Sequence, residues 1–565
     1  MQNVIYLLLR RMRLPLIVVI LAYAVSILGL VLIPGVDDQG NPWRMDFFHA
    51  FYFVSFTGST IGYGEIPYEF TDAQRFWTMI AMYTTVIAWL YAIGALFTLF
   101  QDAGFRQVLR YTLFTRQVRA INERFYLVCG LGDAGELLVR ELAERHIRCV
   151  VVEKKEENLL ALALEDLPVH VPALCGDALD SSVLLAAGLK HRHCAGVIAL
   201  TDNDHINLTI AITSKLLAPD LQVICRSESH DSEANMASFG TDHIINPYDT
   251  FAERFAMMFQ SPSMYMLYEW MTSLRENPLT DFSSPPRGEW ILCGFGRFGK
   301  AVQKSITFEA VRTTVVESDI EGTRAPESAV AGRGTEAITL HEANVENAAG
   351  IIAGTDDDAN NLSIIMTALD LNPELFTVAR QNLRGNDAIY KAADIDLTMQ
   401  PGTIIGRRIV DLLTTPLLSD FLNLARQENE TWANILVSRV AGVLSDRPPD
   451  SWTITISRGE TPAVIEMLEK VCAISLGMLY TDPRDVTLAL PCVPLLLKRR
   501  HEGILVPGND TMLQPDDQLL FCGRHGAEEH MRWTSKNFNA LNYICTGRDN
   551  PTGYIWRRLS KNEAG

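Results

Sequence analysis

The sequence has no close pair of cysteines: its 10 are scattered, Cys129, Cys149, Cys175, Cys225 and Cys293 among them, through runs that read as strands or loops. That excludes a zinc knuckle and a disulfide framework, and it reads as buried, reduced, cytoplasmic thiols. Outside one short segment there is no sustained basic face, and the formal net charge is -18, so nucleic acid is excluded as a partner. No helix carries repeated arginines, which excludes a voltage sensor of the usual kind. Charge is also missing from Leu14 to Pro34 and from Phe76 to Phe100. Each run exceeds the roughly 20 apolar residues that cross a bilayer core, so two spans are predicted, both within the first hundred residues or so.

Basic residues set the orientation. Arg10, Arg11 and Arg13 precede the first span, and Arg106, Arg110, Arg116 and Arg119 follow the second, which places both chain ends in the cytoplasm of a multi-pass cell-membrane protein. Met1 to Arg13 has no small-residue cleavage site, so the first span reads as a retained anchor. A chain of 565 residues then leaves room for several further domains.

Between the spans, Met45 to Thr57 is apolar but too short to cross, and reads as a half-span helix that enters and turns back. The stretch Thr57-Gly58-Ser59-Thr60-Ile61-Gly62-Tyr63-Gly64 that follows cannot stay helical, because alternating glycines favour backbone closed to residues with a β-carbon. Irregular backbone at membrane depth is tolerated only where it lines a cavity. With Gly62 and Gly64 at positive φ, consecutive carbonyls can point inward, and four copies can replace the hydration shell of K⁺. A homotetramer is therefore expected, with Thr60 adding its hydroxyl at the inner mouth and Tyr63 directed into aromatic packing. In the second span, Gly94 reads as a hinge or a packing glycine, with Phe97 near the cytoplasmic opening.

These residues closely resemble the filter of potassium channels: Thr60-Ile61-Gly62-Tyr63-Gly64 matches the signature, with Ile for the commoner Val and Glu65 where Asp is usual. The departure at Glu65 bears on the outer mouth, not on the ion.

From Phe125 the chain reads as strand, glycine turn, helix and a second strand ending in an acid, the unit that binds dinucleotides. Gly130 makes the turn, Gly132 lets amides reach a phosphate at the helix N-terminus, and Gly135 lets helix and strand pack. Glu153 is placed to accept from ribose hydroxyls. The unit recurs at Trp290, with Gly294, Gly296, Gly299 and Glu317 in the same relative places. Gly196 to Asp202 and Gly350 to Asp356 repeat as well, each with a threonine (Thr201, Thr355) before the acid and an asparagine (Asn207, Asn361) beyond. Each half is expected to be a parallel α/β sheet.

The copies differ where a ligand would lie. The first keeps Asp177 after its third strand; the other copy is expected to be shortened there, with Thr335 as the counterpart. Arg297 stands where the first turn has Asp133, and is expected to pair with a phosphate. Asp133 is expected to disfavour a doubly charged phosphate end and so to favour a bridged pyrophosphate such as NAD.

The cytoplasmic half resembles the RCK family, also called KTN domains, on GLGDAG and GFGRFG, on ALTDNDHINL and AGTDDDANNL, and on EGILVPGNDTMLQPDDQLLFCGR. The resemblance covers nearly everything after residue 123. It implies a two-transmembrane channel with tandem RCK domains, eight of which form a gating ring that answers Ca²⁺, NAD or adenine nucleotides (ADP or ATP). The calcium pattern of such domains is mostly absent: of its carboxylates only Glu228 survives as a candidate metal ligand. His230, Asp231 and Glu233 nearby, and the His191-Arg192-His193-Cys194 cluster, read as ordinary surface before they read as metal sites.

The expected fold is a membrane α pore domain (two transmembrane helices and a pore helix) followed by tandem α/β Rossmann-like domains and an α+β C-terminal lobe. The division is 1–103 for the pore, 104–122 for the linker to the ring, 123–265 for the first Rossmann-like domain, 266–288 for a linker, 289–428 for the second and 429–565 for the lobe. Met264 to Gly288 reads as a crossover helix and linker, and the lobe has strand-like runs at ILVSRVAGVL, WTITIS, VTLALP and QLLFCGR. The function expected is a potassium channel gated by intracellular ligands. A membrane-anchored nucleotide-dependent oxidoreductase is the alternative, but no His or Lys constellation offers the proton transfer it needs, so no enzyme is expected. A reading in which one Rossmann-like unit is structural and binds nothing also stands. The loss of an Asp177 counterpart points to the second unit, and Arg297 points the other way.

Overall fold

The computed structural model describes residues 2–64, 66, 68–272, 284–443, 449–470, 473–500 and 502–547. They form two compact units, Met1–Ile121 and Asn122–Gly565. In the first, Leu9–Leu32 and Asp72–Gln101 are helices long and apolar enough to cross a membrane. Leu14, Ile20, Leu21, Leu28, Ile87 and Leu90 project from them exposed, a broad apolar surface. Close approach of the two helices depends on Gly29, where a β-carbon would lie 2.0 Å from the Trp77 ring. Trp77 and Trp89 donate across this contact, to the Ser26 carbonyl (3.1 Å) and the Tyr23 hydroxyl (2.9 Å).

The half-span helix is Phe47–Gly58, started by the Asp46 carboxylate accepting from the His49 amide at 2.8 Å. A reciprocal cap of Thr71 and Gln74 starts the second span. Asp102 ends that span and starts the next helix, Ala103–Arg119, by accepting from the Phe105 amide. It also pairs with Arg11 at 2.6 Å.

In the second unit, β1 (Phe125–Cys129), β2 (Arg148–Glu153), β3 (Ala173–Cys175), β4 (Cys194–Ala199), β5 (Gln222–Arg226) and β6 (His243–Ile245) make a parallel sheet in the order β3-β2-β1-β4-β5-β6. Another parallel sheet repeats it with β7 (Glu289–Cys293), β8 (Arg312–Glu317), β9 (Val330–Ala331), β10 (Gly350–Ala353), β11 (Phe376–Arg380) and β12 (Leu397–Met399), in the order β9-β8-β7-β10-β11-β12. The order reverses beside β1 and beside β7, the places where doubly wound sheets bind ligands.

Each half lends a helix to the other. Helix Pro247–Gln260, which follows β6, packs on helix Arg297–Phe308 of the second half, and helix Pro401–Thr414, which follows β12, packs on helix Asp133–Glu144 of the first. Phe251, Phe255, Trp290 and Phe298 fill the first of these contacts. The crossover helix therefore begins well before Met264. Asn246 caps it and Pro247 occupies its first turn, a start signal that outweighs the apolar run further on. A further helix, Pro262–Thr272, follows, and part of the expected linker, 273–283, lies outside the described residues.

The C-terminal lobe is an antiparallel sheet of β13 (Asp450–Thr455), β14 (Cys492–Arg499), β15 (Glu502–Leu505) and β16 (Gln518–Gly523), ordered β13-β16-β14-β15. Two strand expectations fail there. ILVSRVAGVL falls largely in helix Glu430–Ala441, capped by Asn429, with Ala433, Leu436 and Val440 buried at helical spacing. VTLALP is turn and bridge, because the backbone at Pro491 leads into β14 immediately afterwards. Among the cysteines, Cys175 is exposed, against expectation. Burial raises the thiols of Cys149, Cys225 and Cys293 to about 12, which keeps them unreactive.

Candidate functional site

After the half-span helix the chain leaves helical geometry at Thr60, and φ is 61° at Thr60, 64° at Gly62 and 72° at Gly64. Positive φ at alternate positions turns successive peptide planes in the way a carbonyl-lined strand requires, and only the glycines adopt it without steric cost. The Phe56 carbonyl anchors the turn by accepting from the Ile61 and Gly62 amides at 3.0 and 3.3 Å. Tyr63 stands edge-on to Phe56, with ring centroids 6.3 Å apart, while Ile61 is exposed within one chain. Glu65 lies outside the described residues. Gly94 sits in an unbroken helix, a β-carbon there would meet nothing in this chain, and Phe97 is exposed three residues on.

The two glycine turns have the same construction. Gly130 and Gly294 adopt φ of 100° and 94°. A β-carbon on Gly135 would lie 2.2 Å from the Gly130 carbonyl oxygen, and one on Gly299 equally close to that of Gly294. Gly132 and Gly296 start their helices; a β-carbon would meet nothing within 4 Å at Gly296 and only Asp202 Oδ1, at 4.0 Å, at Gly132, which leaves room for a phosphate at either start. Glu153 and Glu317 are buried and face their own turns: Glu153 accepts from the amides of Leu131 (2.5 Å) and Lys155 (2.7 Å), and Glu317 from those of Phe295 (2.6 Å) and Asp319 (3.0 Å). An oxygen met by one amide keeps a lone pair for a ribose hydroxyl, whereas Oε1 of Glu317 also accepts from the Ser318 hydroxyl at 3.3 Å. Thr201 and Thr355 give their hydroxyls to Asn207 and Asn361 at 2.7 Å. Those two asparagines are fully buried and tie β4 to β5 and β10 to β11, by also donating to the carbonyls of Arg226 and Arg380.

Three site expectations change. The counterpart of Asp177 is Arg333, not Thr335. Glu153 pairs with Cys175 and Glu317 with Ala331, which aligns Gly176 with Gly332. The amide just before each following helix repeats the bond as well, Asp180 to the Asp177 carbonyl and Glu336 to the Arg333 carbonyl. The loop is not shortened; it carries the opposite charge. Arg297 does not face the second pocket: its guanidinium lies 2.7 Å from Glu228 in the first half and near the Tyr248 ring. Asp133 likewise accepts from the Arg384 amide of the second half, at 3.1 Å.

Glu228 is not placed to hold a metal. Its oxygens accept from Arg226 (2.5 Å), Arg297 (2.7 Å) and the Tyr248 hydroxyl (3.0 Å), so guanidinium groups occupy the space a cation would need. Burial works to raise its pKa, but Arg226 and Arg297 hold the carboxyl below its ordinary range. His230, Glu233 and Asp249, rather than Asp231, bring possible ligand atoms within 4.8 Å of one another, and the Asn246 amide already occupies one Glu233 oxygen. His191 and His193 stack tilted at 5.7 Å and gather no third ligand among the described residues.

Two cavities flank these turns. One, of about 500 Å³, is lined by Gly294, Gly296, Glu317, Arg333, Thr335 and Thr355. The other, of about 480 Å³, lies between the halves, with Gly132, Asp133, Asp202 and Arg226 on one side and Arg380, Asn382 and Gly402 on the other. Arg380 reaches Tyr248 at 2.8 Å and pairs with Asp356. Arg333, Asn382 and Arg380 belong to no motif that sequence reasoning picks out; aligning the two copies through their glycines, residue by residue, exposes the first.

One chain thus carries an irregular turn with alternate positive φ between two long apolar helices, followed by two Rossmann-like halves whose glycine turns have the dinucleotide-binding construction. Comparison with known families agrees: residues 15–102 match the ion channel family, and 126–247 and 290–401 each match the TrkA-N domain. The chain thus joins an ion channel domain to two TrkA-N domains, the make-up of the tandem RCK channels it resembles. Potassium channel protein 1 of Methanocaldococcus jannaschii is 28% identical over 203 residues, 36% of this chain and 59% of that protein. The voltage-gated potassium channel Kch of Escherichia coli is 23% identical over 207 residues, 37% of this chain and 48% of that protein. These alignments thus cover less than two thirds of either relative. Among solved structures, a GsuK channel bound to NAD aligns over 94% of this chain and 99% of its own, at 16% identity and a TM-score of 0.48. GsuK bound to ADP aligns over 73 and 99%, at 19% identity and a TM-score of 0.45.

Proposed function

We propose that the chain is the subunit of a homotetrameric, potassium-selective channel of the cell membrane, with both termini cytoplasmic, opened or closed by nucleotides at its tandem RCK domains. The observation that carries this reading is the turn Thr60 to Gly64, with positive φ at alternate residues directly after a half-span helix and between two spans. Four such turns around an axis would offer rings of carbonyls to a dehydrated K⁺, with the Thr60 hydroxyl at the inner mouth. The exposed apolar faces of both spans fit burial against lipid and three further copies.

The ligands are NAD or adenine nucleotides such as ADP, held by the amides at Gly132 and Gly296 and by the ribose partners Glu153 and Glu317. What supports them is the pairing, in each half, of an open helix start with a buried acid at the end of the neighbouring strand. The Rossmann-like halves act as sensors and not as an enzyme: a ligand bound about 100-fold tighter to one ring state supplies about 2.7 kcal/mol per site toward that state. The domain division at 103, 122, 265, 288 and 428, and Gly94 as hinge beside Phe97, belong to the same proposal.

Purified protein in liposomes with a K⁺ gradient tests it. The expected result is K⁺ flux that changes on adding NAD or ADP and is absent when Na⁺ replaces K⁺. Equal Na⁺ and K⁺ flux would remove the filter assignment, and flux indifferent to nucleotides would remove the ligands while leaving the pore.

A further inference from the structure

The two glycine turns match in backbone and differ in the side chains beside their acids, on the adenosine side. Beside Glu153 the first half has Lys154, and this lysine pairs with Asp177 at 2.9 Å. Beside Glu317 the second has Ser318, and in place of Asp177 stands Arg333, exposed and with no ion pair among the described residues. Two residues on, Leu179 of the first half is replaced by Thr335, which lines the second cavity together with Ser318 and Arg333. The first half thus presents a carboxylate whose charge is balanced by its own lysine. The second presents a guanidinium without an ion pair among the described residues, in a cavity it shares with Thr335 and with Ser318, whose hydroxyl donates to Glu317 at 3.3 Å.

The chemistry of these groups is opposite. An ionised carboxylate only accepts hydrogen bonds, and a guanidinium only donates them. The strand pairing puts Asp177 and Arg333 two residues beyond the partners of Glu153 and Glu317, one strand away from the ribose contact, where base and outer ribose lie. The geometry points to two pockets of different selectivity within one chain: the first takes a nucleotide with an N–H donor at this position, as the adenine amino group supplies, and the second takes one with an acceptor-only group there. Two ligand features provide that group, the O6/N7 edge of a 6-oxopurine and a phosphate on the ribose. A phosphate on the ribose would lie near the Glu317 carboxylate, so its charge has to be met by Arg333, one strand on. A ring built this way reads two chemically distinct nucleotides at once.

This inference rests on both pockets being nucleotide sites, and titration calorimetry on the purified full-length protein separates the two questions. The probes are ADP, GDP and adenosine 2′,5′-bisphosphate, applied to the wild type and to Arg333→Ala and Arg333→Lys. The expected result is that Arg333→Ala weakens GDP or the bisphosphate by about tenfold or more and leaves ADP within about twofold. Arg333→Lys distinguishes the sources: a lysine keeps the attraction for a phosphate but loses bidentate contact with a base edge. If Arg333→Ala weakens all three ligands alike, or none of them, while ADP still binds, the selectivity is overturned and the nucleotide reading stands. If the wild type binds no nucleotide, both fall.

Discussion

Asp133 and Arg297 occupy the same place in the two glycine turns, and each faces the other half. Asp133 meets the Arg384 amide after β11, while Arg297 meets Glu228 after β5. Because the halves exchange crossover helices, what looks like a difference between two ligand sites is a pair of reciprocal contacts across one internal interface. The Asp177 to Arg333 exchange is different in kind: Arg333 lines the cavity at its own glycine turn, and Asp177 pairs with Lys154 of its own half. The repeat thus separates two kinds of divergence between its copies, contacts that fit one half to the other and side-chain exchanges beside each half's own glycine turn.

The largest effect that would break this comparison is expected at Glu228. Glu228→Gln leaves Arg226 and Arg297 without a shared counter-charge, and should cost about 3 kcal/mol in denaturant unfolding of the unit Asn122–Gly565. A loss near zero would mean that Arg297 turns back to its own pocket. Next, Gly135→Ala and Gly299→Ala should each cost about 1 to 3 kcal/mol, by equal amounts, since each new β-carbon would lie 2.2 Å from a carbonyl oxygen. Unequal losses would show that the two turns are not equivalent.

The pH dependence also separates the halves. Burial pushes the Asp411 carboxyl, on the crossover helix of the second half, up to about 7 against the pull of Arg408, Arg145, Arg407 and Arg254. A raised pKa favours the fold while the group is protonated, so its contribution is present at low pH and lost as pH rises through about 7. Glu228 behaves in the opposite sense: its lowered pKa contributes above the ordinary glutamate range and is lost as pH falls below it. Asp411→Asn should therefore flatten stability between about pH 4 and 7, and Glu228→Gln below about pH 5, as followed by thermal unfolding. The smallest change is expected for Asp133→Asn, about 0.5 to 1 kcal/mol, because its bond to Arg384 is exposed and an amide oxygen can still accept.

How much the sequence discloses follows the reach of each interaction. The filter turn, the glycine turns and the buried acids Glu153 and Glu317 are read within about 30 residues of chain, and they take the conformations their residue types require. Local reading misassigns Arg297 because its partner Glu228 belongs to the other half, which no local pattern shows. It misplaces Thr335 because β9 is only two residues long and its pairing with Glu317, not its composition, fixes the alignment. ILVSRVAGVL misleads because β-branched residues at helical spacing look like a strand until the Asn429 cap is weighed.

The most direct test of the account is current through single channels in a planar bilayer, with NAD added to the face that carries the chain termini. The expected current is one that K⁺ carries and Na⁺ does not, with an open probability that changes on adding NAD and no longer changes when Glu153 and Glu317 are both replaced by alanine. A nonselective current, or one that NAD leaves unaltered in the wild type at every concentration and alongside ADP, would contradict it.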